Sequence, residues 1–193
     1  MTLRPAPLGK LAEALRHRPP ARFAGPEAGY ARAAVLVLIV RHPDGPRLVY
    51  TRRTDQVLHH KGEVSFPGGA CEAGDSDPVW TALRETWEEI GVNPADVEVL
   101  GELDEIITRS NFIVTPVVGV VDGPYPFRPN PTEVAEIIEV PLEELFRPEN
   151  VVLEPRQVRG EWILAPTYYY RGHRIFGATA MITRQLLELL EEN

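Results

Sequence analysis

The chain has a single cysteine, Cys71, among its 193 residues. That excludes an intrachain disulfide framework and any metal site built from several cysteines, and it fits a reducing compartment. Long apolar runs are missing too. The longest, Ala33 to Val40, falls far short of the ~20 residues that a membrane-crossing helix needs. The opening MTLRPAPLGK holds no apolar signal core, so the expectation is a cytoplasmic protein with no membrane partner. Positive charge is also short. Lys and Arg number 20 against 28 Asp and Glu, the net charge is −8, and no stretch is strongly basic. This argues against a nucleic acid partner, which requires a positive footprint. A small anionic substrate stays compatible, because a bound metal and a few local arginines reverse the field inside one pocket. Internal repeats and low-complexity tracts are absent.

What is present is globular in character: 44% of residues are hydrophobic and 25% charged. Residues 1–30 form a proline-bearing extension around one short helix, with Leu8, Leu11, Ala12 and Leu15 at helical spacing and Pro19-Pro20 as the stop. The extension has three possible fates: covering a sheet, making a homodimer contact, or remaining unattached. Residues 31–193 form the main domain. Ala31 to Val40 is β-branched and apolar on both faces, which predicts a central buried strand. Arg47 to Arg53 follows a His-Pro-Asp-Gly turn and predicts its hairpin partner. Further strands are expected at Gly62–Phe66, Val97–Thr108, Phe112–Val121 and Glu133–Val140. A hairpin is expected at Val151–Val158 and Trp162–Arg171, with its turn at Gly160-Glu161. Helices are expected from Pro78 to Ile90, over Pro141–Phe146 and over Met181–Leu190. Mixed strands with a few helices point to an α+β or α/β sandwich.

The informative segment runs from Gly68 to Val92. Asp77 and Pro78 supply an N-cap and a first helical residue, and Gly91 supplies the stop. Val79, Leu83, Trp87 and Ile90 make one apolar stripe, which places Trp87 in the core. Glu85, Glu88 and Glu89 lie at i, i+3 and i+4 and share another face. Like charges so spaced repel by a few tenths of a kcal/mol per pair. They also stand in the last turns, where the helix dipole disfavours them by roughly 0.3–1 kcal/mol. A divalent cation reverses the sign of each term, and hard cations such as Mg²⁺ and Mn²⁺ prefer oxygen ligands of this kind. Arg84 precedes Glu88 by four residues and is placed to hold its carboxylate. The glycine pair Gly68-Gly69 permits a sharp bend and close approach of backbone to ligand.

This segment resembles the Nudix box: Gly, five residues, Glu, seven residues, then Arg-Glu-apolar-x-Glu-Glu-x-Gly-apolar. Here Gly69 is followed after five residues by Asp75, and Arg84 to Val92 matches the second half. Three departures stand out. Asp75 replaces the first Glu, eight residues separate it from Arg84, and Thr86 occupies an apolar position. The resemblance implies a Nudix-like α/β/α sandwich with a mixed β-sheet and a loop-helix-loop catalytic motif, and cleavage of a diphosphate linked to another group. It also implies Glu85, Glu88 and Glu89 as metal ligands, with one of these or a nearby carboxylate activating water. Glu133 and Glu136 lie near where some members place an extra carboxylate. Upstream, Arg53, Gly62 and Phe66 to Gly69 resemble the motif that precedes the box in coenzyme A pyrophosphatases. In that motif, Val49 and Tyr50 stand for two leucines, Thr54 for Ser/Ala, and Leu58 for a second Arg. Ile175 to Ala180 resembles the C-terminal end of the same branch. The implied reaction is metal-dependent hydrolysis of coenzyme A or acyl-coenzyme A to 3′,5′-ADP and 4′-phosphopantetheine or its acyl form. The alternatives are another nucleoside diphosphate derivative as substrate (ADP-ribose, NADH or an oxidised dNTP) and a non-catalytic binding module of the same fold.

A diphosphate repels hydroxide until its charge is neutralised, and arginines fit phosphate oxygens bidentately. Arg52, Arg53, His59, His60 and Lys61 are the local cations, with Arg53 the foremost for substrate contact. Arg52, His60, Gly68 and Gly69 complete the expected substrate-binding set. Cys71 is read as a loop residue. Phe127 and Tyr168 to Tyr170 suit either base stacking or packing.

Overall fold

The computed structural model describes residues 8–25, 28–54, 62–158 and 161–191. Helix α1 (Leu8–His17) precedes strand β1 (Ala31–His42), which forms a hairpin with β2 (Gly45–Arg53). Two short strands follow, β3 (Val64–Ser65) and β4 (Gly68–Ala70), and then helix α2 (Pro78–Ile90). Next come β5 (Glu98–Glu102), β6 (Ile106–Ile107), β7 (Phe112–Asp122) and β8 (Val134–Pro141), and a helical turn α3 (Leu142–Leu145). Strands β9 (Val151–Val158), β10 (Glu161–Tyr170) and β11 (His173–Ile175) form a separate antiparallel sheet, and α4 (Gly177–Glu191) closes the described chain.

The main sheet is mixed, ordered β3-β2-β1-β7-β5, with β4 also paired to β1, β6 to β7 and β8 to β2. Strand β1 lies at its centre, parallel to β7 from Ala31↔Phe112 to Arg41↔Asp122. Alternation along β1 divides the core. Ala34, Leu36, Leu38 and Val40 face α2, with Ala82 and Ile90. Ala33, Val37 and Ile39 face the opposite layer, made of α1, α4 and the small sheet. The result is an α+β sandwich with one helix on one face and two on the other. None of the described helices is long and apolar enough to cross a membrane.

Two expected elements change, and the extension takes one of its three expected fates. Val97–Thr108 is two strands, because Gly101 takes φ +151 at a register shift on β7 and the chain then leaves the sheet at Leu103. The last helix begins at Gly177, four residues before Met181, since the backbone turns helical directly after β11. The extension covers the sheet: α1 buries Leu11 and Leu15 in the core layer that also holds α4. The expected turn at Gly160-Glu161 falls partly outside the described residues.

Candidate active site

Helix α2 is built by local signals. The Asp77 side chain accepts the Trp80 N–H at 2.8 Å, Pro78 opens the first turn, and Gly91 closes the helix in a left-handed conformation (φ +71) with its N–H on Trp87 O. The buried face follows the expected stripe only in part: Ile90 is buried and Val79 and Leu83 pack against the core, but Thr81, Ala82, Thr86 and Glu89 are buried beside them and Trp87 is 57% exposed. Small residues face inward because α2 packs directly on the sheet, with Ala82 and Ile90 against Ala34, Leu36, Leu38 and Val40 of β1. Trp87 therefore belongs to the outer surface and not to the core.

Rotating the buried face brings two of the three glutamates inward. Glu85 is largely covered, and Glu89 has a 4% exposed side chain, whereas Glu88 stands on the rim. Glycine is required beneath them at Gly69, since a Cβ there would sit 2.5–2.6 Å from the Glu85 carboxylate oxygens. Burial, with the negative charges of Glu85 and Glu133, pushes the Glu89 carboxyl up to about 8; Arg53 and the Gly68 N–H pull the other way. The Glu85 carboxyl is raised as well, by burial first, against the hydrogen bond from Arg84. Among the described residues, Glu89 Oε2 is buried with no hydrogen-bond partner, and so is Nε of Arg53, whose Nη1 lies 3.7 Å from Glu89 Oε1. Unpaired buried polar atoms are costly, and a water or an ion at this point would satisfy them.

Alternation along β2 decides the arginines. Arg53 has the parity of Val49 and faces α2. Arg52 faces the other layer, where Glu136 accepts from its Nε at 3.1 Å and also pairs with His173. Glu133 joins the acidic group and Glu136 does not. His59, His60, Lys61 and Leu58 lie outside the described residues. Cys71 follows β4 as a loop residue, with its N–H on Arg32 O. Phe127 packs beside the α2-side core and Tyr168 is buried in the other, while Tyr169 stays exposed.

Arg84 does more than hold Glu88. Its Nε and Nη2 donate to the two oxygens of Asp75 at 3.0 Å each, and its Nη1 donates to Glu85 at 2.9 Å and Glu88 at 3.3 Å. Asp75 also accepts from Thr81 Oγ1 and the Glu72 N–H. The guanidinium beside it holds the Asp75 carboxyl well below the usual carboxylate range. Asp75 and Arg84 thus lock the polar loop onto α2, a pairing across nine positions that no local periodicity announces.

The donor set suits a hard cation: several carboxylates, one with an idle oxygen, beside a glycine bend. Among the described residues no three acidic or histidine side chains are already gathered as a metal cage, because Arg84 and Arg53 draw the carboxylates to themselves.

Comparison with known proteins matches residues 30–159 to the NUDIX domain family. A Nudix hydrolase named NudL from Pectobacterium atrosepticum is 42% identical over 158 residues, covering 80% of this chain and 80% of the relative. NudL of Photorhabdus laumondii is 37% identical over 159 residues, covering 82% and 84%. Among solved structures, the Nudix hydrolase RenU of M. smegmatis aligns with a TM-score of 0.51 at 20% identity, over 61% of this chain and 74% of that one. A C. elegans Ap4A hydrolase aligns at 0.50 and 17% identity, over 60% and 83%. At such identities these structures share the fold alone.

Proposed function

The chain belongs to the Nudix family, and on that premise we propose that it hydrolyses the diphosphate bond of coenzyme A or an acyl-coenzyme A. The products would be 3′,5′-ADP and 4′-phosphopantetheine or its acyl form. The observation that carries the hydrolytic reading is the buried Glu89 carboxylate with its idle oxygen, set among Glu85, Glu133 and Arg53. Nudix hydrolases generally work with a divalent ion such as Mg²⁺ or Mn²⁺. Glu85, Glu88 and Glu89 would hold that ion here. When bound it supplies charge neutralisation on the diphosphate and activates water.

The chain's own residues divide the remaining work. Arg53, whose Nε has no partner among the described residues, is a group available to a phosphate oxygen on the α2 side of the sheet. Gly69 keeps space open beside the Glu85 carboxylate, and Gly68 lets β4 lie close against β1. Arg84 positions Glu85 and Glu88 while anchored on Asp75. Hydrolysis breaks one bond of the bridging oxygen to phosphorus. Water contributes its oxygen to the attacked phosphorus, and the other phosphate departs with the bridging oxygen.

The coenzyme A assignment rests on the run from Arg53 to Gly69 and its resemblance to that branch. Leu58, in place of that motif's second Arg, favours a second reading with another nucleoside diphosphate derivative as substrate. A product analysis separates them. The protein is incubated with Mg²⁺ or Mn²⁺ and coenzyme A, acetyl-coenzyme A, ADP-ribose, NADH or 8-oxo-dGTP, and the products are weighed by mass spectrometry. Preferential release of 3′,5′-ADP from a coenzyme A is the expected outcome. Cleavage of another compound moves the substrate to the second reading, and no cleavage of any leaves a binding module or a substrate outside the panel.

A further inference from the structure

A groove of about 780 Å³ runs along the outer face of α2, away from the sheet. Trp80 and Trp87 line one side, Tyr125 and Arg128 the other, and Arg84 and Glu88 form its border with the acidic cleft. The two tryptophans are seven residues apart on one helix and so stand on the same side, roughly 10.5 Å apart along the axis. They are 47% and 57% exposed, a costly position for the largest apolar side chain unless something covers it.

The facing wall is built rigidly. The Tyr125 hydroxyl donates to Asp96 at 2.7 Å and accepts the Asn93 N–H at 3.0 Å, which fixes the ring. The loop carrying Arg128 is stapled to the end of α2 by Arg128 N–H on Ile90 O and Asn130 N–H on Glu89 O, both 2.8 Å. Gly91 lets the two backbones approach; a Cβ there would lie 2.9 Å from Arg128 Cβ. The Arg128 guanidinium is exposed and has no acidic partner among the described residues. The groove thus offers flat π faces, a fixed phenol and one free cation.

We propose that this groove receives the purine ring of the substrate's nucleotide half, stacked on Trp87 and Trp80, with Arg128 paired to a phosphate of that same half. An apolar peptide is a poorer occupant, because it would cover the Arg128 guanidinium without supplying it a partner. A planar base with an attached phosphate satisfies both the aromatic faces and the charge. Glu88 and Arg84 belong to groove and cleft alike, so one ligand spans both. In this the inference rests on the hydrolase reading and names the subsite that selects its substrate.

The test separates the two. The chain has three tryptophans, and Trp162 lies on the small sheet. In a Trp162→Phe protein, emission excited at long wavelength therefore comes from Trp80 and Trp87 alone. Adenosine 5′-monophosphate, without divalent metal, is expected to quench this emission saturably, while ribose 5-phosphate does not. Trp87→Ala is expected to abolish the quench and to raise KM for the diphosphate cleaved by about tenfold with kcat little changed, with Trp87→Phe restoring both. Saturable quenching in a protein that cleaves nothing would uphold the groove and sink the hydrolase reading. Absence of quenching with an unchanged KM in Trp87→Ala would overturn the groove. So would a change in oligomeric state of Trp80→Ala and Trp87→Ala with unaltered nucleotide binding, since the groove would then be a contact between copies.

Discussion

The Glu89 side chain is almost fully buried, and its Oε2 has no partner among the described residues. Burial pushes its carboxyl up to about 8, so near neutral pH folding must take up a proton that the unfolded chain lacks, and a neutral amide of the same shape avoids that cost. Glu89→Gln is therefore expected to melt no lower than the parent when metal is absent. Turnover should be lost, along with the rise in melting temperature that a binding ion gives the parent protein. A variant that melts several degrees lower, or still turns over, would remove Glu89 from the ligand set. Glu88→Gln, on the rim, should likewise abolish metal-dependent turnover with the fold intact. Arg53→Ala should raise KM more than it lowers kcat, the signature of lost uniform binding, and steady-state kinetics on the cleaved substrate checks it. The carboxylates were legible in the sequence because i, i+3 and i+4 spacing is fixed by helix geometry. The separation of Arg52 from Arg53 was also implicit, since neighbours on a strand face opposite ways. The burial of Glu89 was not legible, because it depends on how closely α2 approaches β1.

At the scale of elements, the parts written in local signals were readable. The Asp77 cap, Pro78 and the Gly91 stop set the bounds of α2, and the apolar run of β1 announced a central strand. Trp87 was misplaced because hydrophobic periodicity finds the apolar side of a helix but not the surface it meets. Here that surface demands Thr81, Ala82 and Thr86, leaving the tryptophans outside. The lock between the polar loop and α2 was unreadable for another reason: Asp75 and Arg84 meet only after the loop has closed. Breaking it tests its weight. Asp75→Asn leaves Arg84 without its bidentate partner, a loss of roughly 2 kcal/mol for hydrogen bonds between charged groups. For a domain of this size that corresponds to a melting temperature lower by about 4–8 °C. Calorimetry should show that drop, and kcat should fall with it, because Arg84 also holds Glu85 and Glu88. An unchanged melting temperature would reduce the pair to surface decoration.

For the molecule as a whole, the segment after α1 fastens two layers together. Asp104 accepts from Arg18 at 2.5 Å and from the Ala21 N–H at 2.7 Å, and Ala21 O accepts the Glu105 N–H. Glu105, with a 2% exposed side chain, accepts from the Phe23 N–H at 2.7 Å, from Arg32 at 3.0 Å and from Thr115 at 3.3 Å. Burial alone would push its carboxyl up, but these donors and the arginine charges outweigh it and leave it below the ordinary value. A carboxyl lowered in the folded state contributes stability that is complete above its unfolded value, about 4.3, and is lost as pH falls through the folded one. Glu105→Gln should therefore melt below the parent at pH 7, by the few degrees that about 1–3 kcal/mol brings in a domain this long. As pH drops below roughly 4.3 the two melting curves should converge, because the parent's carboxyl becomes protonated and resembles the amide. A gap that stays constant to low pH would mean that packing and not charge holds the strap. The extension would then be fastened by Leu11 and Leu15 in the core, with the acidic pairs at residues 102–105 adding nothing measurable.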